Sequence, residues 1–260
     1  MASNRSYRKI PIALELWSVR KQCEKDFFGT LRAVAEMGYE GVEFAGYWDT
    51  PAREIRKMLD DLGLKAAGTH IDFETLLGDE LKKTVEFNKT IGNDFLIVPG
   101  VPEEQAQSAQ DWAKIARLLE EAAEKVAPEG MWVGFHNHQN EFKKYDGKTA
   151  WDVMYGATKR LVMQMDIGNA MHGGCEPISF MKKYPGRQQS VHLKEYSAAK
   201  GFVRIGEGDV DWKAVLDFCQ GSGDTRWYVI EFENLAFPAI ESVKMCLEHI
   251  RRIAGALANH

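Results

Sequence analysis

Eight short runs of apolar, β-branched and aromatic residues recur along this 260-residue chain, and a stretch with helical apolar spacing follows each of them. The runs are Ile12–Ser18, Gly41–Gly46, Lys65–Ile71, Asp94–Val98, Met131–His138, Leu161–Ile167, Ser190–Tyr196 and Trp227–Phe232. Between them the spacing predicts helices over Phe27–Met37, Asp79 to Ile91, Gln105–Val126, Ala150–Ala157, Ile178–Tyr184, Asp211–Cys219 and Ala239–Leu257. A further helix opens with Thr50 as N-cap and Pro51 in its first position, and Gly63 closes it. Strands that alternate with helices over short connections must run parallel, because each crossover helix carries the chain back to its starting end. Eight such units in a chain of this length predict an α/β fold, a (β/α)8 TIM barrel. An open doubly wound sheet is the alternative, but no GxGxxG follows the first strand and no Walker loop occurs. No low-complexity linker divides the chain, so a single domain over residues 1–260 is expected, with its active site at the carboxyl ends of the strands.

The test of that placement is where polar residues fall within the apolar runs. The fifth run turns within one step from Met-Trp-Val-Gly-Phe to His136, Asn137, His138 and then Glu141. Alternate residues of a strand face the same side, so His136 and His138 are expected to point together. Strand one offers Glu15 and Trp17, strand two Glu43, and strand three His70 and Asp72. Asp166 ends the sixth run, His192 and Lys194 are two apart on the seventh, and Glu231 and Glu233 close the eighth. Carboxylates are rarely buried unless paired or bound to metal. Asp166, His192 and Glu231 come from three separate strands with apolar flanks, a pattern better explained by one bound divalent cation than by three unrelated ion pairs. Carboxylate and imidazole donors suit Mn²⁺, Mg²⁺, Co²⁺, Zn²⁺ or Fe²⁺ and do not choose among them. Lys194 is expected to share their cavity, stabilising an enolate or binding a phosphate or hydroxyl, with a rim salt bridge as the alternative. Glu43 and His70 are expected to line the pocket. Trp17, Tyr47 and Trp48 are expected to form an apolar wall for a sugar ring, against ordinary packing. Glu207, in the glycine-rich turn Gly206–Asp209, is a candidate contact to sugar hydroxyls.

Charge and cysteine usage narrow the partners. The net charge of −5 gives no basic excess or stripe of the kind that binds nucleic acid. The four cysteines form no CxxC pair and no zinc-finger spacing, and read as reduced thiols. The polar start, MASNRSYRKI, lacks the apolar segment of a signal peptide, and no apolar run is long enough to span a membrane. A cytoplasmic protein with no membrane partner is expected, unless a leader has been removed.

These residues carry a resemblance. LELWSVR at Leu14–Arg20, GYEGVEF at Gly38–Phe44, FHNHQNEF at Phe135–Phe142, MDIGNA at Met165–Ala170, VHLKEY at Val191–Tyr196, IGEGDVDW at Ile205–Trp212 and WYVIEFEN at Trp227–Asn234 resemble the sugar-phosphate isomerase/epimerase family of xylose-isomerase-like TIM barrels. The resemblance implies a metal-dependent isomerase or epimerase acting on a sugar or keto-sugar through α-proton abstraction and an enediolate. It also implies one divalent ion, most often Mn²⁺, held after strands five to eight. Asp166, His192 and Glu231 match the last three ligands. Glu141 is taken as the first, with His136 or His138 as alternatives, because the FHNH run stands where many relatives have a glutamate. The expected base is His138 or Glu231, with His136 and Lys194 also in catalytic roles. The missing strand-five glutamate weakens a two-glutamate epimerase and makes β-elimination of 3-keto-glycosides the runner-up. A metal-dependent endonuclease and a non-catalytic sugar-binding subunit are the remaining rivals. Barrels of this kind often form homodimers.

Overall fold

Each of the eight runs forms a strand, and all eight pair in parallel into one closed barrel. The computed structural model describes residues 8–221 and 224–258; the N-terminal stretch read above lies outside the described residues as far as residue 7. The strands are β1 (Ile12–Glu15), β2 (Gly41–Phe44), β3 (Lys65–His70), β4 (Phe95–Val98), β5 (Trp132–His136), β6 (Val162–Asp166), β7 (Ser190–Leu193) and β8 (Trp227–Ile230). Their order around the barrel follows the chain, and β8 closes on β1 with Leu14 opposite Ile230.

Several strands stop earlier than the apolar runs suggest, and side-chain chemistry explains where. After Glu15 the chain bends into a 3-10 turn, Leu16–Val19, whose Trp17 amide donates to the Glu15 carboxylate (Trp17 N to Oε1, 3.1 Å). β5 ends at His136 because Asn137 uses its side chain, not its backbone, to bridge to β6. It accepts from Asp166 N at 2.8 Å and donates to Asp166 O at 3.0 Å. His138 therefore lies beyond the strand, and period-two alternation does not set its direction. After β7 the chain enters a small hairpin, Glu195–Ser197 with Gly201–Val203, where the sequence suggests continued strand.

The helices are amphipathic and pack outside the barrel through fully buried residues such as Leu31, Val34, Ile55, Leu59 and Leu119. Phe27–Met37 and Ala150–Ala157 lie where the spacing puts them. The second crossover helix runs Ala52–Leu62, with Pro51 rather than Thr50 as its N-cap; the Thr50 hydroxyl turns back to Trp48 O. The long helix starts at Ala109, where Ser108 accepts from Asp111 N at 3.1 Å. One short helix, Ile167–His172, escapes the periodicity and is capped by Asp166, which accepts from Asn169 N at 2.6 Å. Among the described residues no helix is long and apolar enough to cross a membrane.

Alternate strand residues fill the barrel interior. Towards the amino ends of the strands these are Ala13, Ala67, Phe95, Ile97, Val162, Trp227 and Val229, which form one apolar cluster. Gly134 is needed here for space, since a Cβ would lie 2.5 Å from Ile97 Cδ1 and 3.0 Å from Val162 Cβ. One step towards the carboxyl ends, the same strand faces present Glu15, Glu43, His136, Gln164, His192 and Glu231, all buried.

Candidate metal centre

The geometry gathers His136, Asp166, His192 and Glu231, with one ligand atom from each within 4.8 Å of the others. His136 Nε2 is 4.0 Å from both Asp166 Oδ2 and Glu231 Oε2. His192 Nδ1 is 3.9 Å from Asp166 Oδ2 and 2.8 Å from Glu231 Oε2. Donors that each sit ~2.1 Å from a shared cation lie roughly 3 to 4 Å from one another, so these separations fit one ion. Asp166 Oδ2 supplies a second reason, because it is buried and has no hydrogen-bond partner among the described residues. An orphaned carboxylate oxygen in a closed site is costly unless a cation or proton meets it. This buried group of imidazoles and carboxylates can therefore hold a metal ion.

Its electrostatics point the same way. Burial, with Glu231 nearby, pushes the Asp166 carboxyl up to about 7 against the opposing charges of Lys194 and His192. Burial would also lower His192, but Glu43 and Glu231 on its two sides outweigh it and hold the imidazole well above its ordinary value. His192 Nε2 meets Glu43 Oε2 at 2.5 Å. A carboxylate behind an imidazole in this way orients the ring and leaves its other nitrogen for a metal. Glu43 is opposed by burial, yet His70 and His192 hold it down at about 2. Burial, reinforced by His192 and His70, keeps His136 well below the usual histidine range, so it is a neutral donor.

Above the ligand group a cavity of about 620 Å³ opens between the strand ends. Trp17, Tyr47, Ile71 and Pro99 form an apolar side, while His70, Asp72, His136, His138, Glu231 and Glu233 supply polar groups. His138 and His136 touch edge to face, ring centroids 5.1 Å apart, so both imidazoles reach the cavity although only His136 belongs to the strand. Trp17 donates Nε1 to Glu233 Oε1 at 2.7 Å.

Five expected site residues stand elsewhere or act differently. Glu141 does not stand with Asp166, His192 and Glu231: its Oε2 accepts from His138 N at 2.8 Å, closing the turn after β5, and the residue that does stand with them is His136. Glu43 is fully buried beneath the cavity, its oxygens taken by Gln164 and His192, so it braces the site instead of meeting a substrate. Lys194 is 1% exposed and lies against Glu231 (3.1 Å) and Glu233, so it neutralises carboxylates from behind the cavity wall. Glu207 pairs with Arg204 on the outside. The work of its turn is done by Glu195, whose carboxylate accepts from Gly206 N, Val210 N and Trp212 Nε1. Trp48 packs on Phe27, ring centroids 4.9 Å apart, and is not part of the cavity wall.

Gln164 and Gly68 also shape the site, although neither is among the expected site residues. A polar residue two before Asp166 in an otherwise apolar strand was a readable sign that Gln164 shares its face. Gly68 left no such sign, yet a Cβ there would lie 2.1 Å from Glu43 Oε1. It makes the space in which Glu43 can stand.

Comparison with known proteins places these features in company. A family model described as a xylose isomerase-like TIM barrel matches residues 31–253. The chain is 24% identical over 266 residues to the rhizopine catabolism protein MocC of Rhizobium meliloti, covering 87% of this chain and 81% of that one. It is 22% identical over 257 residues to an inosose dehydratase of Clostridium botulinum, covering 81% and 83%. A sugar phosphate isomerase/epimerase from Parabacteroides distasonis has the same fold, with a TM-score of 0.79 at 22% identity over 93% of this chain and 97% of that one.

Proposed function

The chain belongs to the xylose isomerase-like TIM-barrel family, and on that premise we propose that it is a divalent-cation-dependent isomerase or epimerase of a sugar or keto-sugar. The observation that carries this reading is the buried His136, Asp166, His192 and Glu231 group at the floor of a cavity with one aromatic side. The family resemblance points to Mn²⁺, while the donor set accepts Mg²⁺, Co²⁺, Zn²⁺ and Fe²⁺ equally. When bound there, such an ion supplies Lewis-acid polarisation of a carbonyl and its neighbouring hydroxyl.

The chain's own residues do the rest. Trp17 and Tyr47 receive the apolar face of the ring, and the carbonyl end turns down towards the ligand group. His138, held by the Glu141 clamp on its amide, takes the proton α to the carbonyl. The electron pair of the broken C–H bond moves to the carbonyl oxygen and gives an enediolate. Return of the proton to the adjacent carbon completes an isomerisation; delivery of a proton to the opposite face by a second group bordering the cavity, Glu231, completes an epimerisation. Lys194 offsets the charge of Glu231 and Glu233 throughout.

One observation favours a second reading. β5 ends in an imidazole, His136, so the cavity lacks a strand-five carboxylate base and instead offers His70 and His138. One can take the α-proton while the other gives a proton to an oxygen leaving the next carbon, so that a C–H and a C–O bond break, a C=C bond forms, and water or an alcohol departs. Dehydration is what the name of the inosose dehydratases states of those relatives.

Incubation with Mn²⁺ in D₂O separates these readings. Keto-sugars are tested against 3-keto-glycosides, following deuterium uptake by mass spectrometry and release of water or aglycone. Exchange with return of an isomeric sugar supports the first reading, and release of a leaving group supports the second. No exchange with either substrate class removes both.

A further inference from the structure

Gln164 stands at the centre of the polar layer, fully buried on β6. Its Nε2 donates to Glu43 Oε1 at 2.8 Å and to Ser190 Oγ at 2.9 Å. Its Oε1 faces two imidazoles at once, His70 Nε2 at 2.8 Å and His136 Nδ1 at 3.2 Å. The amide is held in this sense by its neighbours. Turned over, its oxygen would face the Glu43 carboxylate, which has only lone pairs to offer.

An amide oxygen accepts and never donates, so both ring nitrogens that face it must carry hydrogen. A neutral imidazole has one N–H. A proton on His136 Nδ1 leaves Nε2 bare, and that nitrogen is the one 4.0 Å from Asp166 Oδ2 and Glu231 Oε2. A proton on His70 Nε2 leaves Nδ1 bare, on a ring that lines the cavity. The rings are close neighbours, with centroids 4.9 Å apart, yet their free lone pairs sit on different nitrogens.

We propose that Gln164 is a positioning residue that fixes opposite tautomers on His70 and His136, assigning His136 Nε2 to the cation and His70 Nδ1 to the substrate as a hydrogen-bond acceptor. The cation half rests on the metal-dependent reading above, and the tautomer half does not. A buried glutamine with a purely structural role would contribute hydrogen bonds and stability. It would have no reason to place two histidine protons on different ring positions.

Long-range ¹H–¹⁵N spectra of metal-free, histidine-labelled protein read the tautomers directly. The wild-type chain is expected to show His136 protonated at Nδ1 and His70 at Nε2. Gln164→Met removes the acceptor and is expected to give mixed tautomers at His136, while His70 keeps the Glu43 carboxylate 3.5 Å from its Nε2. Gln164→Glu, protonated beside the Glu43 carboxylate so that its O–H replaces the amide donor, keeps an acceptor oxygen of similar reach and is expected to restore the wild-type tautomers, so the test survives if the methionine variant fails to fold. Calorimetric titration with Mn²⁺ should show binding weakened on the order of 10- to 100-fold in Gln164→Met, with partial recovery in Gln164→Glu. A wild-type His136 protonated at Nε2, or a methionine variant that keeps the His136 tautomer, overturns the proposal. Wild-type tautomers as stated with no Mn²⁺ binding would leave the role of Gln164 standing and remove the metal-dependent reading instead.

Discussion

Val162 and Asp166 lie on the same face of the same strand, and so do Ala13 and Glu15, while Glu231 follows Val229 one residue past the end of β8. Each pair points into the barrel and is buried, but the lower member packs against Phe95, Ile97 and Trp227 while the upper one meets other charges. The lower layer is held by filled volume, which tolerates any residue of suitable shape. The upper layer concentrates Glu15, Glu43, Asp166 and Glu231 against few cations, and two of its carboxylate oxygens, Glu15 Oε2 and Asp166 Oδ2, have no partner among the described residues. A fold does not need such a layer for stability. Its presence only at the carboxyl ends of the strands is what separates a structural core from a site.

The sharpest way to break that contrast is to remove Asp166. Asp166→Ala should abolish tight divalent-cation binding and lower activity on the order of 10³-fold or more, the scale of a lost Lewis acid. The metal-free protein should melt only slightly lower than the wild type, because the substitution deletes the cap on Asn169 N together with a buried oxygen that has no hydrogen-bond partner. Calorimetric Mn²⁺ titration and thermal melting in chelator give the two readings. A large fall in the melting temperature of the metal-free form would make Asp166 a structural residue.

The lower layer should behave in the opposite way. Phe95→Ala is expected to cost about 3–5 kcal/mol of stability in denaturant titration, as a large cavity in a closed barrel. Activity per folded molecule and cation affinity should not change, since Phe95 packs in the lower apolar cluster and not among the charged residues above it. A variant that folds normally but binds the ion weakly would show that the two layers are mechanically coupled.

How far this contrast was legible in the sequence depends on the kind of signal. The eight strands were legible because apolar runs and helical spacing are local properties. That Asp166, His192 and Glu231 stand together was legible because a charged residue inside an apolar run has few uses. Glu141 was misplaced because nothing local distinguishes a carboxylate that reaches a cavity from one that folds back on the amide of His138. The sequence places Glu43 and Lys194 on the right strands but not at the right depth, which is set by partners on other strands, 149 residues away for Glu43 and 37 for Lys194. Gly68 was invisible, because its importance is the space it leaves for Glu43.

A pH titration of cation affinity tests the upper layer without mutation. The ion must displace a proton from His192 Nδ1, since that imidazole is held protonated between Glu43 and Glu231. Below the Asp166 value of about 7 a second proton must leave as well. Affinity should therefore rise with pH by about 100-fold per unit below that point and about 10-fold per unit above it. The sign for the metal-free fold is the reverse. A carboxylate raised to about 7 is protonated when folded but ionised when unfolded, so stability falls as pH rises from the ordinary aspartate range towards 7 and then levels. Asp166→Asn should remove both the break in the affinity curve and this loss of stability.

The smallest expected effect lies above the polar layer, at Trp17. Its ring is 43% exposed, unusual for a large apolar side chain, yet it is not free to swing. Nε1 donates to Glu233 Oε1 at 2.7 Å, and the Arg20 guanidinium sits 4.2 Å from the ring centroid. An exposed indole held at both edge and face is a prepared surface, and it stands on the wall of the cavity. If that surface receives the ring of the substrate, Trp17→Ala should raise KM about 10-fold, the scale of one lost aromatic contact, while kcat changes little. Trp17→Phe keeps the apolar face and loses the bond to Glu233, so it should recover most of the affinity. A fall in kcat in the phenylalanine variant would mean that the Trp17–Glu233 bond also sets the position of Lys194, and the cavity wall and the buried charge layer would then be one working unit.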